Sequence, residues 1–207
     1  MTDVLKIVAA FAAGYLLGSV NTAVIVGKIY GTDIKTRGSK SAGLTNALRV
    51  LGKTAAALVL AGDTLKGVIA CLIGLRLGVY VHSAAAADCA SLLAAGAGAV
   101  VGHNWPVYFG FRGGKGVLTG VTVLFMCDWR MASICLGLCI FLVAFTRYVS
   151  LGTICATICF MGLSFVPHFG HTYYFLIFAC LMGGITLFQH RQNVQRLLSG
   201  TENMLAF

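Results

Sequence analysis

Charged residues are scarce in this chain of 207 residues, and acidic residues are the scarcest of all. Asp, Glu, Lys and Arg together make up 10% of the sequence and only six residues are acidic, whereas 58% are hydrophobic and the mean hydropathy is +0.89. This composition excludes an ordinary soluble globular domain and is typical of a protein with several membrane-spanning segments. Because carboxylates near the polar motifs are so few, we expect no divalent metal site.

The chain also lacks a small-residue cleavage site after its first apolar stretch, an internal repeat and a low-complexity tail. We therefore interpret the first stretch as a retained helix and not as a signal peptide. Residues 1–207 are predicted to form a single integral-membrane domain. The eight cysteines lie mainly in apolar segments, with no histidine at ligand spacing, so we expect them to pack as small apolar side chains and not to bind metal.

The apolar stretches are long enough for several transmembrane helices, each of which needs about 20 mostly apolar residues. We predict an all-α protein with about seven spans, one of them short. The spans are predicted at 7–27, 54–75, 88–106, 117–127 (the short one), 130–146, 149–166 and 172–189.

The net charge is +9, and the basic residues are concentrated in particular loops. With the N-terminus outside and the C-terminus inside, the outer segments hold only Lys6, Arg76 and Arg130. The inner segments hold Lys28, Lys35, Arg37, Lys40, Arg49, Lys53, Arg112, Lys115, Arg147, Arg191 and Arg196. This asymmetry predicts the orientation of a multi-pass protein of a bacterial inner membrane, and it is poor evidence for nucleic-acid binding.

A glycine-rich loop at 110–116 reads Gly-Phe-Arg-Gly-Gly-Lys-Gly. Glycines allow several backbone N–H groups to converge, and Lys115 adds a mobile positive charge, so the loop is a candidate phosphate site. It does not fit the nucleotide-binding motif, because Lys115 is followed by Gly116 and no strand precedes it. The alternative is a flexible interfacial loop whose basic residues mark the inner face.

A second polar segment lies at 38–49. Leu44, Ala47, Leu48 and Leu51 follow helical spacing, which predicts a short amphipathic helix along the membrane interface in the first cytoplasmic loop, ending near Gly52. Its start is rich in Ser and Gly and suits an anion. The alternative is an ordinary interfacial anchor.

A third polar segment begins at the inner end of the last span, where His190 and Asn193 share a helix face. The alternative there is a polar helix end with orienting arginines. Within the second span, Asp63 and Lys66 are also three residues apart and are expected to form a structural salt bridge. The three polar segments are predicted on the cytoplasmic side, which suggests one composite site, and the Asp63/Lys66 pair lies within the span below it.

Three ordered motifs carry a resemblance to a known family. They are Gly38-Ser39 with Thr45-Asn46-Ala47-Leu48-Arg49, then Gly113-Gly114-Lys115-Gly116-Val117, then His190-Arg191-x-Asn193 with Arg196-Leu197-Leu198-x-Gly200-x-Glu202. Together they resemble bacterial acyl-phosphate:glycerol-3-phosphate acyltransferases of the PlsY family, over essentially the whole chain. Two departures are Ser41-Ala42, where the family usually has Asn-Pro, and Leu118, where it has a small residue.

The resemblance implies transfer of a fatty acyl group from acyl phosphate to the 1-hydroxyl of glycerol 3-phosphate, giving lysophosphatidic acid and phosphate in phospholipid synthesis. It implies a membrane-lipid environment and a functional link to an enzyme that makes acyl phosphate, but no cofactor. The catalytic and glycerol-3-phosphate-binding residues implied are Ser39, Arg49, Lys115, His190 and Asn193. The residues implied to bind acyl phosphate or phosphate are Gly113, Gly114, Gly116, Thr45, Asn46 and Ser150. The residues expected to be structural are Asp63, Lys66 and Glu202.

The proton acceptor for the attacking hydroxyl is left between two candidates, His190 and the phosphate group of the acyl donor, and the family's features favour the phosphate. A small membrane transporter of a phosphorylated anion is the alternative function, since it shares the basic loops and the Asp63/Lys66 pair. The other spans are nearly free of charge and show no repeat, which argues against it. A scaffolding role would leave three glycine- and charge-rich loops unexplained.

Overall fold

The computed structural model describes residues 2–81, 83 and 85–205. Over these residues the chain is helical, apart from an isolated antiparallel bridge between Tyr80 and Cys89, which confirms the all-α prediction. The helices are α1 (Asp3–Ser19), α2 (Thr22–Ile29), α3 (Leu44–Leu51), α4 (Lys53–Leu77), α5 (Ala90–Asn104), α6 (Val117–Cys127), α7 (Trp129–Thr146), α8 (Val149–Ser164), α9 (Tyr173–Gln189) and α10 (Arg191–Leu198).

The chain divides into two compact units, Met1–Cys127 and Asp128–Phe207. The first contains α1 to α6 with both glycine-containing loops, and the second contains α7 to α10 with the C-terminal motif. One domain over residues 1–207 stays a prediction.

Glycines on α1 and α5 allow the two helix backbones to approach closely. A Cβ on Gly14 would collide with the carbonyl of Ala95, and one on Gly98 would collide with the carbonyl of Phe11. Small residues are what membrane helices use for such contacts, because dispersion forces grow as backbones come together. The pairing fixes the position of α5, from whose C-terminal end the glycine-rich loop departs.

The first apolar stretch was predicted as one helix over 7–27, but it is broken after Ser19 into α1 and α2. The cause is Asn21, which is fully buried. Its Oδ1 accepts the N–H of Val24 at 3.1 Å and so caps α2, while its Nδ2 donates to the Ala42 carbonyl at 3.3 Å. An asparagine in an apolar run therefore begins a new helix and holds the first loop.

Three helical segments are long and apolar enough to cross a membrane by length and composition: Asp3–Ile29, which contains the break at Asn21, Lys53–Leu77 and Trp129–Thr146. The α9–α10 pair passes the same test but is bent by 54°. Helices α6 and α8 are apolar but shorter. Over the described residues this gives three spans, or four with the bent pair, so the count of seven stays a prediction.

The amphipathic helix of the first loop is confirmed as α3. It follows Gly43 and ends at Gly52, whose φ of +88° lies in the left-handed region that favours glycine. Helix α4 begins immediately after, at Lys53. The predicted helix at 117–127 is also confirmed, with the same bounds.

Candidate active site

Asn46 organises the loop that carries Ser39. Its side chain is 2% exposed, its Oδ1 accepts the Ser39 N–H at 2.9 Å, and its Nδ2 donates to the carbonyls of Ile34 and Arg37, each at 3.1 Å. Both amide hydrogens are therefore engaged by the loop backbone. The geometry does not support the predicted direct contact of Asn46 with phosphate and gives it a structural role instead.

Ser39 itself is half-buried, and its backbone N–H is fixed by Asn46. Arg49 lies in the last turn of α3 and is exposed, whereas Thr45, in the first turn, is half-buried. These three predicted site residues thus lie within one short helix and the turn that precedes it. The guanidinium of Arg49 can reach an anionic ligand from solvent, because no fold contact buries it.

The glycine-rich loop closes back onto the end of α5. The N–H of Gly113 donates to the Asn104 carbonyl at 3.2 Å, and the N–H of Gly114 donates to the His103 carbonyl at 3.1 Å. These two N–H groups, predicted to bind phosphate, are thus engaged in holding the loop. The Ala42 N–H donates to the Gly113 carbonyl at 3.5 Å, so the structure brings the two predicted phosphate loops of the first unit together.

Helix α6 begins where the glycine-rich loop ends. Gly116 has a φ of +71°, and its carbonyl accepts the first intrahelical bond, from Gly120, at 2.7 Å. Helix geometry leaves the N–H groups of the first turn without intrahelical partners, and an anion is stabilised there. Lys115 lies directly before this helix end and is half-buried. The loop therefore presents Lys115 and a helix N-terminus, in place of the Gly113 and Gly114 amides.

Two buried polar groups near this helix end are unsatisfied. Both amide atoms of Asn104 and the Thr119 hydroxyl have no hydrogen-bond partner among the described residues. A Cβ on Gly116 would lie 2.6 Å from Asn104 Oδ1, so the amide packs directly under the loop. Unpaired buried amides are rare and costly in native proteins. A ligand with hydrogen-bonding groups is one means of satisfying them.

A charged cluster lies beneath the same loop. Lys66 Nζ lies 2.8 Å from Asp63 Oδ1, which confirms the predicted ion pair, and both side chains are buried. The ammonium also donates to the Val20 carbonyl at 3.1 Å and contacts His103 Nδ1 at 2.9 Å. Removing a charge from water is unfavourable unless it is paired and hydrogen-bonded, and here Lys66 makes three polar contacts.

The second unit contains the C-terminal motif. His190 lies at the bend between α9 and α10 and is 2% exposed, and its Nδ1 lies 2.8 Å from the Thr186 carbonyl. A carbonyl can only accept, so Nδ1 carries a proton and, in the neutral ring, Nε2 is the acceptor. Asn193 is 3% exposed, and its Nδ2 donates to Glu202 Oε1 at 2.7 Å, so Oδ1 is the acceptor atom of this amide.

Two further predicted residues lie in the same unit. Ser150 is in the first turn of α8, is 6% exposed, and its hydroxyl has no hydrogen-bond partner among the described residues. Glu202 accepts from Arg196 Nε at 2.8 Å as well as from Asn193, which agrees with its expected structural role. The tail is held further by a bond from the Leu205 N–H to the Arg147 carbonyl at 2.8 Å.

Comparison with known proteins decides the family. The family model described as glycerol-3-phosphate acyltransferase matches residues 8–200. This chain belongs to the glycerol-3-phosphate acyltransferase family. A curated glycerol-3-phosphate acyltransferase of Thermoanaerobacter sp. (strain X514) is 42% identical over 92% of this chain and 91% of its own. The enzyme of Shouchella clausii (strain KSM-K16) is 40% identical over 98% and 97%.

Solved structures agree with the family. Two crystal structures of PlsY (YgiH), an integral membrane glycerol 3-phosphate acyltransferase, resemble this acyltransferase at 34% identity. The glycerol 3-phosphate form superposes with a TM-score of 0.85 over 98% of this chain and 95% of that one. The lysophosphatidic acid form gives 0.84 over 97% and 95%. These comparisons confirm the resemblance inferred from the three motifs. The chain belongs to a class of integral-membrane acyltransferases.

Sequence reasoning about this acyltransferase missed the means by which its loops are held. The clamp made by Asn46 and the break at Asn21 both depend on backbone carbonyls that are distant in sequence. Asn21 had a sequence signal, since it is an asparagine in an otherwise apolar stretch, whereas Asn46 lies in a segment that is already polar. His103 is a further polar residue of this kind, in the last turn of α5 beneath the glycine-rich loop.

Proposed function

We propose that this acyltransferase uses acyl phosphate as its donor and glycerol 3-phosphate as its acceptor. The products are 1-acyl-glycerol 3-phosphate (lysophosphatidic acid) and inorganic phosphate. The observation that carries the proposal is the placement of Lys115 beside the N-terminus of α6, in a loop bonded to the segment of Ser39 and Arg49. Both substrates carry phosphate, and this arrangement offers hydrogen-bond donors and positive charge.

The predicted site residues supply two kinds of chemistry. Ser39, Arg49 and Lys115 are donors, suited to phosphate oxygens. His190 Nδ1 and Asn193 Nδ2 donate to Thr186 and Glu202, so Nε2 and Oδ1 are the acceptor atoms of these two side chains. Acceptors suit the hydroxyl groups of glycerol 3-phosphate. We assign phosphate binding to the donors and hydroxyl binding to these two acceptors.

The reaction is an attack of the 1-hydroxyl oxygen on the acyl carbon. A new carbon–oxygen bond forms, the bond from the acyl carbon to the phosphate oxygen breaks, and phosphate departs with the hydroxyl proton. The phosphate of the donor is an anionic base already beside the reacting carbon, so we propose it as the proton acceptor, with His190 orienting the hydroxyl. The donor is already activated, so neither coenzyme A nor ATP is required.

The remaining assignments follow from this chemistry. Gly116, Thr45 and Ser150 are proposed as further phosphate-binding positions, with Gly113 and Gly114 shaping the loop. The acyl chain requires a membrane, so we propose a bacterial inner membrane with the reacting groups at its cytoplasmic face, and a functional link to an enzyme that forms acyl phosphate. The contacts of Lys66 are made within the protein, which favours a structural role over an ion path in a transporter.

The test measures phosphate release by purified protein in detergent or lipid, with palmitoyl phosphate and glycerol 3-phosphate. We expect release that depends on both substrates and yields lysophosphatidic acid by mass spectrometry. A matched reaction replaces palmitoyl phosphate with palmitoyl-coenzyme A. Product from the thioester alone would contradict the donor assignment, and no product from either donor would contradict the function.

A further inference from the structure

We propose that His103 is a positioning residue that couples the two phosphate loops of the first unit, and that Lys66 fixes it as the tautomer with the proton on Nε2. The inference rests on the function proposed above, because it assigns these loops to substrate phosphates. His103 touches neither substrate. It acts through the backbone at Gly114 and Ala42.

The position of the ring supports this role. His103 is in the last turn of α5 and is 3% exposed. A methyl group on Gly114 would collide with both His103 Nε2 and the Ala42 carbonyl oxygen, so these three groups meet at one point. That point joins the glycine-rich loop, which carries Lys115, to the segment between Ser39 and Arg49. The backbone bond from the Ala42 N–H to the Gly113 carbonyl lies at the same junction.

The other ring nitrogen determines the tautomer. Lys66 Nζ contacts His103 Nδ1 at 2.9 Å while it pairs with Asp63 at 2.8 Å and donates to the Val20 carbonyl at 3.1 Å. An ammonium group has three hydrogens and no lone pair, so it can only donate. Nδ1 must then accept, and the neutral ring carries its hydrogen on Nε2. Nε2 lies at the junction, against Gly114 and beside the Ala42 carbonyl.

Asp63, Lys66 and His103 therefore act in sequence. Asp63 holds Lys66 as an ammonium, Lys66 donates to His103, and His103 presents an N–H to the loops. The Ala42 carbonyl at this junction accepts from Asn21 Nδ2 at 3.3 Å, so Asn21 holds the part of the junction that belongs to the first loop. A loop held at such a point places its donors without further reorganisation when substrate binds.

Two substitutions at one position separate the two ring nitrogens. His103→Gln keeps an N–H near the place of Nε2 but loses the acceptor for Lys66, and His103→Asn keeps an acceptor near Nδ1 but loses the N–H at the junction. We expect His103→Asn to raise the KM for glycerol 3-phosphate about tenfold, the effect of one lost hydrogen bond, with a smaller change in kcat. His103→Gln should recover most of that loss.

The Tm of both variants is measured in detergent, because a purely structural role of His103 would lower Tm and leave KM unchanged. That result, or His103→Asn with the KM of the parent protein, would overturn the proposal. Asp63→Asn with Lys66→Met removes the ion pair without leaving a lone buried charge. This double variant should raise KM as His103→Asn does.

The tautomer has its own readout. The chain has five histidines, so ¹⁵N-histidine labelling gives few side-chain signals, and the His103 pair is identified by its loss in His103→Gln. We expect Nδ1 to resonate as an unprotonated and Nε2 as a protonated ring nitrogen, and a protonated Nδ1 refutes the assignment. This measurement needs no activity. An inactive parent protein with the expected spectrum would contradict the proposed function, and an active one with an unaffected His103→Asn would contradict only the role of His103.

Discussion

Glu202 accepts a hydrogen bond from Asn193 Nδ2 at 2.7 Å and thereby fixes the orientation of that amide. Because a carboxylate can only accept, the amide nitrogen faces Glu202 and Oδ1 is the acceptor atom of Asn193. The second carboxylate oxygen accepts from Arg196 Nε at 2.8 Å. The C-terminal segment after α10 thus orients a predicted catalytic residue that precedes it by nine positions in the sequence.

Replacing Glu202 should impair both stability and turnover. Glu202→Ala leaves a buried amide and an arginine without their partner, so we expect a loss of about 2 kcal/mol in unfolding free energy and a fall of kcat/KM of about tenfold or more. Arg196→Gln is the matched control. It removes only the partly exposed ion pair, which contributes less than about 1 kcal/mol. Equal losses of kcat/KM in both variants would contradict the role of Glu202 in orienting Asn193.

Lys115 is the cation to test first. Lys115→Met keeps the length of the side chain but removes its charge, so we expect the KM for glycerol 3-phosphate to rise about tenfold or more, or activity to be lost. Arg112→Met is the control, since Arg112 lies in the same loop and is exposed. It should change KM by less than about twofold. A similar effect of both substitutions would indicate a general effect of positive charge and not a contact by Lys115.

The length of the apolar stretches and the helical spacing at 44–51 predicted the helices well, because both depend on local sequence. Helix α6 has the predicted bounds, and α3 ends where Gly52 was expected to end it. The break at Asn21 escaped prediction because the acceptor of its amide, the Ala42 carbonyl, lies 21 residues away. A hydropathy profile does not show that a single polar residue forms a hydrogen bond with a carbonyl distant in sequence.

In the candidate site, too, local sequence patterns were predictable and contacts between distant residues were not. The motifs located Ser39, Arg49 and Lys115, and the structure brings their two loops together through Ala42 and Gly113. Composition could not show which glycine N–H groups form backbone hydrogen bonds within the protein, because that depends on the position of the carbonyls at the C-terminal end of α5. A glycine-rich sequence indicates an anion site, but the tertiary contacts decide which of its donors remain for the anion.

Gly114 offers a steric test of the loop junction. Gly114→Ala introduces a methyl group that collides with His103 Nε2 and the Ala42 carbonyl. We expect the loop to shift and kcat/KM to fall by about tenfold or more, because a displacement of about 1 Å is enough to disturb bound geometry. Gly120→Ala in α6 is the control, as its added methyl meets just Val100, at 4.0 Å. The prediction fails if Gly114→Ala matches the parent protein in both kinetics and Tm.

Asp128 links the stability of the second unit to pH. Its side chain caps α7 through the N–H groups of Arg130 and Met131, pairs with the Arg130 guanidinium at 2.9 Å, and lies 3.3 Å from His171 Nε2. Burial alone would raise the pKa of Asp128, but the hydrogen bonds from the Arg130 side chain and from the two backbone N–H groups outweigh it, so the pKa lies below its usual value.

A lowered pKa in the folded protein gives stability that is fully present above the pKa of the unfolded chain and is lost as pH falls through the folded pKa. Asp128→Asn keeps the cap but removes the charge, so its Tm should fall less than that of the parent protein between neutral pH and about pH 3, by a margin on the order of 2 °C. Asp3→Asn, at an exposed carboxylate, is the control and should follow the parent. Parallel Tm curves for Asp128→Asn and the parent would show that the charge of Asp128 does not stabilise α7.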